Sequence, residues 1–179
     1  MFKTNPEEFI IKVVKLINEE KATSIVDHIT YEPTSQKFDN KIFTMDRPEG
    51  DFLNAYESEK CIQDFVFTDS KIEKAFAQEL DGAKEVVVYA KLPDGKDGFY
   101  IPTPVGNYSP DWAIAFDKDS VRHMFFVAET KGSMSSMILD KIEESKIECA
   151  TKLFKGLPVD VKFAKIDNYG NLLDIMRGE

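Results

Sequence analysis

Two apolar stretches of this chain each carry an acid where the apolar pattern has no place for one. The first is Pro110-Asp111-Trp112-Ala113-Ile114-Ala115-Phe116. The second is Phe125-Phe126-Val127-Ala128-Glu129-Thr130-Lys131-Gly132. Each apolar run is short, aromatic and β-branched in character, and bounded by turn residues, which is the pattern of a strand. Both alternating faces of these strands are largely apolar. Strands of that kind lie in the middle of a sheet with cover on both sides, which points to an α/β arrangement.

A hairpin centred on Ser120 sets Asp111 opposite Glu129, on one face and with Cβ atoms roughly 4.5–5.5 Å apart. Lys131 follows on the same face. That register pairs Ile114 with Phe126 and Phe116 with Met124, and a slip of one residue sends Asp111 to the other face. Two carboxylates so close repel and need neutralisation. Mg²⁺ prefers hard oxygen ligands and takes one or two carboxylates together with substrate phosphate. A bound metal activates water and stabilises charge on a phosphoryl oxygen. Lys131 then orients the attacking water or stabilises developing charge. This is the equipment of a metal-dependent phosphodiesterase, and a nuclease is the leading expectation. The acid-x-Lys spacing alone is uninformative, because Glu19, Asp39, Asp69, Asp94, Glu144 and Asp160 share it. Strand context and the register partner single out Glu129; a structural Glu129–Lys131 ion pair is the competing reading.

The rest of the chain supplies a frame. Its 179 residues suit one domain with a small appendage. With 42% hydrophobic and 12% aromatic residues, it can build a core. The net charge of −9 speaks against a free-standing DNA binder, so tight DNA binding is expected from a partner. Cys61 and Cys149 lack metal-ligand spacing and read as free thiols of a reducing cytosol. The N-terminus has no signal-peptide run and no segment is apolar for about 20 residues, so a cytoplasmic protein without membrane contact is expected.

Asn5 and Pro6 open a first helix, with Glu7 and Glu8 in its first turn. Residues 1–65 read as a small, mainly helical N-terminal appendage, with a short strand candidate at 41–45. Residues 66–179 read as the principal domain. Ser70 and Glu73 have capping-box spacing before a helix that Gly82 ends. Val86–Leu92 is a strand, and 99–103 is a candidate partner. A helix is expected over 136–154, a strand over 159–164 and a short helix near 171–176.

The pairing of Pro110-Asp111 with Glu129-Thr130-Lys131 resembles the PD-(D/E)xK nuclease superfamily. The expected order of helix, strands, helix and strand matches its restriction-endonuclease-like core, a mixed central sheet flanked by helices. Wider text is more specific. Ser70-Lys71-Ile72-Glu73-Lys74-Ala75-Phe76-Ala77, Tyr89-Ala90-Lys91-Leu92-Pro93, Thr103 through Ala113 and Lys146-Ile147-Glu148-Cys149-Ala150 are similar to the C-terminal nuclease region of the restriction subunit of type III restriction enzymes. The run Val14–Ala22 is similar to the segment preceding it.

The resemblance implies that Asp111 and Glu129 ligate Mg²⁺, with Mn²⁺ as a substitute. It implies that the Thr130 carbonyl completes the metal shell and that Lys131 assists the attacking water. Glu73 holds the place of a first-helix acid that supports the metal; its other reading is a cap-completing acid at a helix N-terminus. Lys146 holds the place of a phosphate-contacting or site-supporting residue; its other reading is a solvated lysine. Lys141, Lys146, Lys152 and Lys155 form a candidate DNA-facing stripe, but Glu143, Glu144 and Glu148 are interleaved and a solvated helix face is the default reading. The implied partners are double-stranded DNA, the helicase/ATPase portion of the restriction subunit and a modification methyltransferase. No phosphate-binding Gly-x-x-x-x-Gly-Lys-Ser/Thr loop is present. ATP dependence is therefore expected to reside in a motor outside this sequence. The alternative to an endonuclease is a non-catalytic docking module that binds motor or methyltransferase. His28 and His123 make no convincing catalytic pair.

Overall fold

The computed structural model describes residues 5–32, 34, 55–68, 70–93, 98–117, 124–127, 141–157, 161–166 and 168–177. Its elements run α1 (Pro6–Val26), β1 (Ala55–Glu57), β2 (Phe65–Phe67), α2 (Lys71–Gly82), β3 (Val86–Lys91), β4 (Trp112–Phe116), β5 (Met124–Val127), α3 (Lys141–Gly156), β6 (Val161–Ala164) and α4 (Tyr169–Arg177). From α2 onward the order is helix, three strands, helix, strand, as expected. The strand candidate at 41–45 and the start of the second long helix at 136–140 lie outside the described residues.

Local chemistry explains the helix starts. The Asn5 side chain accepts the Glu8 N–H, and Pro6 occupies a first-turn position that needs no donor. The Ser70 side chain accepts the Glu73 N–H in the same way. Thr103–Gly106 forms a tight turn in which the Thr103 hydroxyl donates to the Gly106 carbonyl. Gly106 has φ 113°, a backbone region that a side chain strains to enter. Ile101 and Tyr108 bridge across that turn, so the stretch expected to pair with the neighbouring strand pairs within its own loop.

The main sheet has the order β3-β4-β5-β6. The first two pairings are antiparallel and β5 runs parallel to β6. The fold is thus mixed α/β with a mixed sheet, compatible with a restriction-endonuclease-like arrangement. One face packs Phe76, Ala77 and Leu80 of α2 and Leu172 of α4 against Tyr89, Trp112 and Ile114. The other packs Ala150 and Phe154 of α3 with Leu92, Ile101, Tyr108 and Ala113. Phe154 stacks on Phe163 of β6 at 5.5 Å between centroids.

The register of the central hairpin differs from the expectation by one residue. Ile114 faces Phe125 and Ala115 faces Met124. The earlier pairing assumed a hairpin symmetrical about Ser120. In the structure β5 is held on both sides, by β4 and by the parallel ladder Met124↔Val161 to Val127↔Ala164. A purely local turn argument has no access to that second constraint. The cross-strand argument that set Asp111 directly opposite Glu129, and on one face with it, therefore falls.

The helix α1 lies along α3: Lys141 pairs with Glu20 at 3.0 Å and the Lys152 ammonium donates to the Val26 carbonyl. The strands β1 and β2 form an antiparallel pair. They reach the main sheet through a bridge between Cys61 and Tyr89.

Candidate active site

One end of the main sheet collects the chemistry. Lys91, the last residue of β3, faces Trp112, the first of β4. Trp112 in turn faces Val127, the last of β5, which lies beside Ala164, the last of β6. Asp111 stands one residue before β4, half-buried, and its carbonyl accepts the Leu92 N–H at 2.8 Å. Glu129, Thr130 and Lys131 lie outside the described residues.

Glu73 projects from the first turn of α2 and is buried, with 6% of its surface exposed. Its carboxylate meets the Lys91 ammonium at 2.5 Å, and both side chains are 8% exposed. The ammonium also lies 6.0 Å from the centre of the Trp112 ring. Trp112 is fully buried and packs edge-on against Phe76 and tilted against Tyr89. The structure thus joins Glu73 to a partner that the sequence reading did not single out. The available signal was a lysine closing the otherwise apolar run Val86–Ala90.

Lys146 lies on α3, on the other face of the sheet. It is half-buried and pairs with Glu143 at 3.2 Å. A Cβ on Gly106 would come within 3.9 Å of its side chain, so Lys146 borders the turn that precedes Asp111. Two other lysines of the stripe are engaged: Lys141 with Glu20 of α1 at 3.0 Å, and Lys152 with Glu148 on its own helix at 3.7 Å. His28 is exposed and its ring approaches the Ser24 carbonyl at 3.1 Å.

Farther along the same α2 face, the Ser58 hydroxyl bonds Asp81 at 2.8 Å and Tyr89 at 2.9 Å. Burial raises the Tyr89 phenol well above its ordinary value. Tyr56 is pushed up to about 12, first by burial and then by Asp81. These groups stay protonated at neutral pH and hold the β1–β2 hairpin to the sheet. Burial likewise raises the Cys61 and Cys149 thiols.

Asp111 and Glu73 are both carboxylates, the hard oxygen donors that Mg²⁺ prefers, and the Glu73 carboxylate is paired with Lys91. Among the described residues no group of three or more His, Cys, Asp or Glu is arranged to hold a metal. No described helix is long and apolar enough to cross a membrane.

Residues 59–169 match the family described as an endonuclease domain. The chain belongs to this endonuclease-domain family. It is 35% identical over 98 residues to the Res subunit of the type III restriction-modification enzyme EcoPI of Escherichia phage P1, and equally to that of EcoP15I of Escherichia coli. Each match covers 54% of this chain and 10% of the relative. The chain thus spans about a tenth of the length of these relatives. No solved structure matches it. The resemblance read from the scattered sequence blocks is borne out: this is an endonuclease domain related to type III restriction subunits. The endonuclease-domain match begins inside the β1–β2 hairpin, at Glu59, and runs to Tyr169 at the start of α4.

Proposed function

We propose that this endonuclease domain hydrolyses phosphodiester bonds of double-stranded DNA with Mg²⁺, through a PD-(D/E)xK site, as the cutting part of a type III restriction-modification complex in the cytoplasm. The observation that supports this reading best is the shared strand end. The last residue of β5, Val127, faces the first of β4, Trp112. Glu129 follows two residues later, within about 7 Å of chain. Asp111 immediately precedes Trp112. That sequence neighbourhood, with Asp111 one residue before Trp112 and Glu129 two residues after Val127, supports reading the two acids as one site even without the direct pairing that local symmetry had suggested.

In this reading Asp111 and Glu129 hold the metal, with the Thr130 carbonyl as a further oxygen donor. When bound, the ion supplies charge stabilisation on the phosphoryl oxygen and a more acidic water. Lys131 orients the nucleophile and offsets charge that develops on the phosphate. Glu73 supports the metal or its water. Lys146, beside the Gly106 turn, supports the loop that carries Asp111 or touches phosphate. Recognition of a DNA sequence and ATP-driven movement fall to a methyltransferase and to a motor portion outside these residues. That division of labour accommodates the charge of −9.

The test is cleavage of supercoiled plasmid in Mg²⁺ or Mn²⁺, by the chain alone and reconstituted with the motor portion and methyltransferase. Asp111→Ala, Glu129→Ala and Lys131→Ala are each expected to lower the rate by at least about a hundredfold with folding retained. Persistent cleavage in all three variants overturns the site. A reconstituted complex that cuts no DNA, yet requires this domain to assemble, turns the reading to a docking module.

A further inference from the structure

We propose that Lys91 is a positioning residue of the nuclease centre, holding the Glu73 carboxylate at the sheet end where Asp111 stands. The inference rests on the nuclease reading and adds a residue to it. One side-chain contact and two backbone relations connect the groups. The Lys91 ammonium meets Glu73 at 2.5 Å. Lys91 faces Trp112, the neighbour of Asp111, across the β3–β4 ladder. The next residue, Leu92, donates its N–H to the Asp111 carbonyl at 2.8 Å.

A buried ion pair is a poor device for stability, because a well-packed apolar pair of the same volume serves as well or better. Apolar surroundings are at hand here, since Phe76 and Trp112 are both buried beside the pair. The pair stands at the strand ends that meet Asp111. That location is unexplained by packing and explained by orientation. A carboxylate in the first turn of a helix has rotamer freedom, and one fixed ammonium removes it. The lysine is itself held over the Trp112 ring, 6.0 Å from its centre. It touches neither substrate nor reacting atoms and acts through Glu73. Partners of this kind, behind a metal's own ligands, typically change metal affinity or activity 10–100-fold when removed.

The experiment uses the full chain and the variants K91M, E73Q and E73Q/K91M, each studied at a temperature where it is fully folded. Mn²⁺ titration is followed by the emission of Trp112, the one tryptophan in the sequence. Turnover and KM are measured on supercoiled plasmid, with motor portion and methyltransferase present. K91M is expected to weaken Mn²⁺ binding by about tenfold or more and to lower kcat about 10–100-fold, with KM within about twofold. Because Lys91 acts through Glu73, E73Q and E73Q/K91M are expected to share one kcat within about threefold. The double variant recovers melting temperature relative to K91M without recovering Mn²⁺ affinity.

A folded K91M that binds Mn²⁺ and turns over like the parent overturns the inference. So do losses from K91M and E73Q that multiply in the double variant. A parent chain that neither binds Mn²⁺ nor cleaves in the reconstituted complex overturns the nuclease reading and this inference with it. A parent that does both, with K91M unaltered, removes only Lys91.

Discussion

The two faces of the main sheet handle charge in opposite ways. On the α2 face a glutamate and a lysine are enclosed together, each side chain 8% exposed. Ser58, Asp81 and Tyr89 form a second polar group on that face. On the α3 face the interior is apolar and aromatic, and its ion pairs lie toward solvent: Lys141–Glu20, Lys146–Glu143 and Lys152–Glu148. Charged side chains are rarely enclosed in a core unless paired, and the buried cluster on the α3 face contains none. The enclosed pair is therefore a feature of the end that carries Asp111. A lysine–glutamate pair carries different information by where it stands: enclosed at a strand end it constrains geometry, and on a helix surface it adds solubility and little else.

That contrast is open to measurement. The largest effect is expected from Lys91→Met, which leaves the Glu73 carboxylate enclosed without its cation. Chemical denaturation is expected to show a loss of about 3–5 kcal/mol, most of it recovered when Glu73→Gln is added. A loss below about 1 kcal/mol would place this pair with the surface pairs and erase the distinction between the faces.

A smaller and more gradual effect is expected in alkali. Burial raises the Cys61, Cys149, Tyr31, Tyr56 and Tyr89 groups above their ordinary values. A folded state with raised values keeps its protons while the unfolded chain loses them. The stability these groups contribute is thus fully present below the unfolded values and is lost as pH rises through the folded ones. Melting temperature is expected to fall once pH passes about 8.5, where a thiol begins to ionise, and further beyond about 10 for the phenols. Tyr89→Phe is expected to flatten the decline on the α2 face, and Cys149→Ala on the α3 face. A melting temperature that holds steady from pH 8 to 11 contradicts both assignments.

The smallest effects belong to the α3 surface. Lys146→Met is expected to cost about 0.2–1 kcal/mol, diminished by salt. Lys141→Met is expected to leave the melting temperature unchanged within error. If Lys146→Met instead lowers plasmid cleavage about tenfold at unchanged stability, the lysine beside the Gly106 turn joins the site and the α3 face gains a function of its own.

Much of this organisation was readable from local chemistry. Asn5 with Pro6 and Ser70 before Glu73 announced two helix starts through hydrogen bonds made within three residues. The apolar runs at 86–91 and 112–116 announced β3 and β4, and the order of elements from α2 to β6 followed. Asp111 was legible as an acid at the mouth of an apolar strand. The partner of Glu73 was not legible. Its ammonium comes from 18 residues away, on another element. The capping-box reading explained Ser70 and had nothing to say about what the carboxylate meets. The lysines on α3 read by default as a solvated helix face, yet Lys141 and Lys152 meet α1, more than a hundred residues distant.

By itself, then, the sequence determined what depends on neighbours along the chain: caps, strand content, element order, the acid before Trp112 and membership of an endonuclease family through its scattered blocks. Only the tertiary structure decided the hairpin register, the enclosure of Glu73 with Lys91 and the engagement of the α3 lysines. The physical reason is the same in each case. A cap or a strand is settled by bonds a few residues long. A register is settled jointly by both flanking strands, and an ion pair by whichever side chains the packed layers bring within reach.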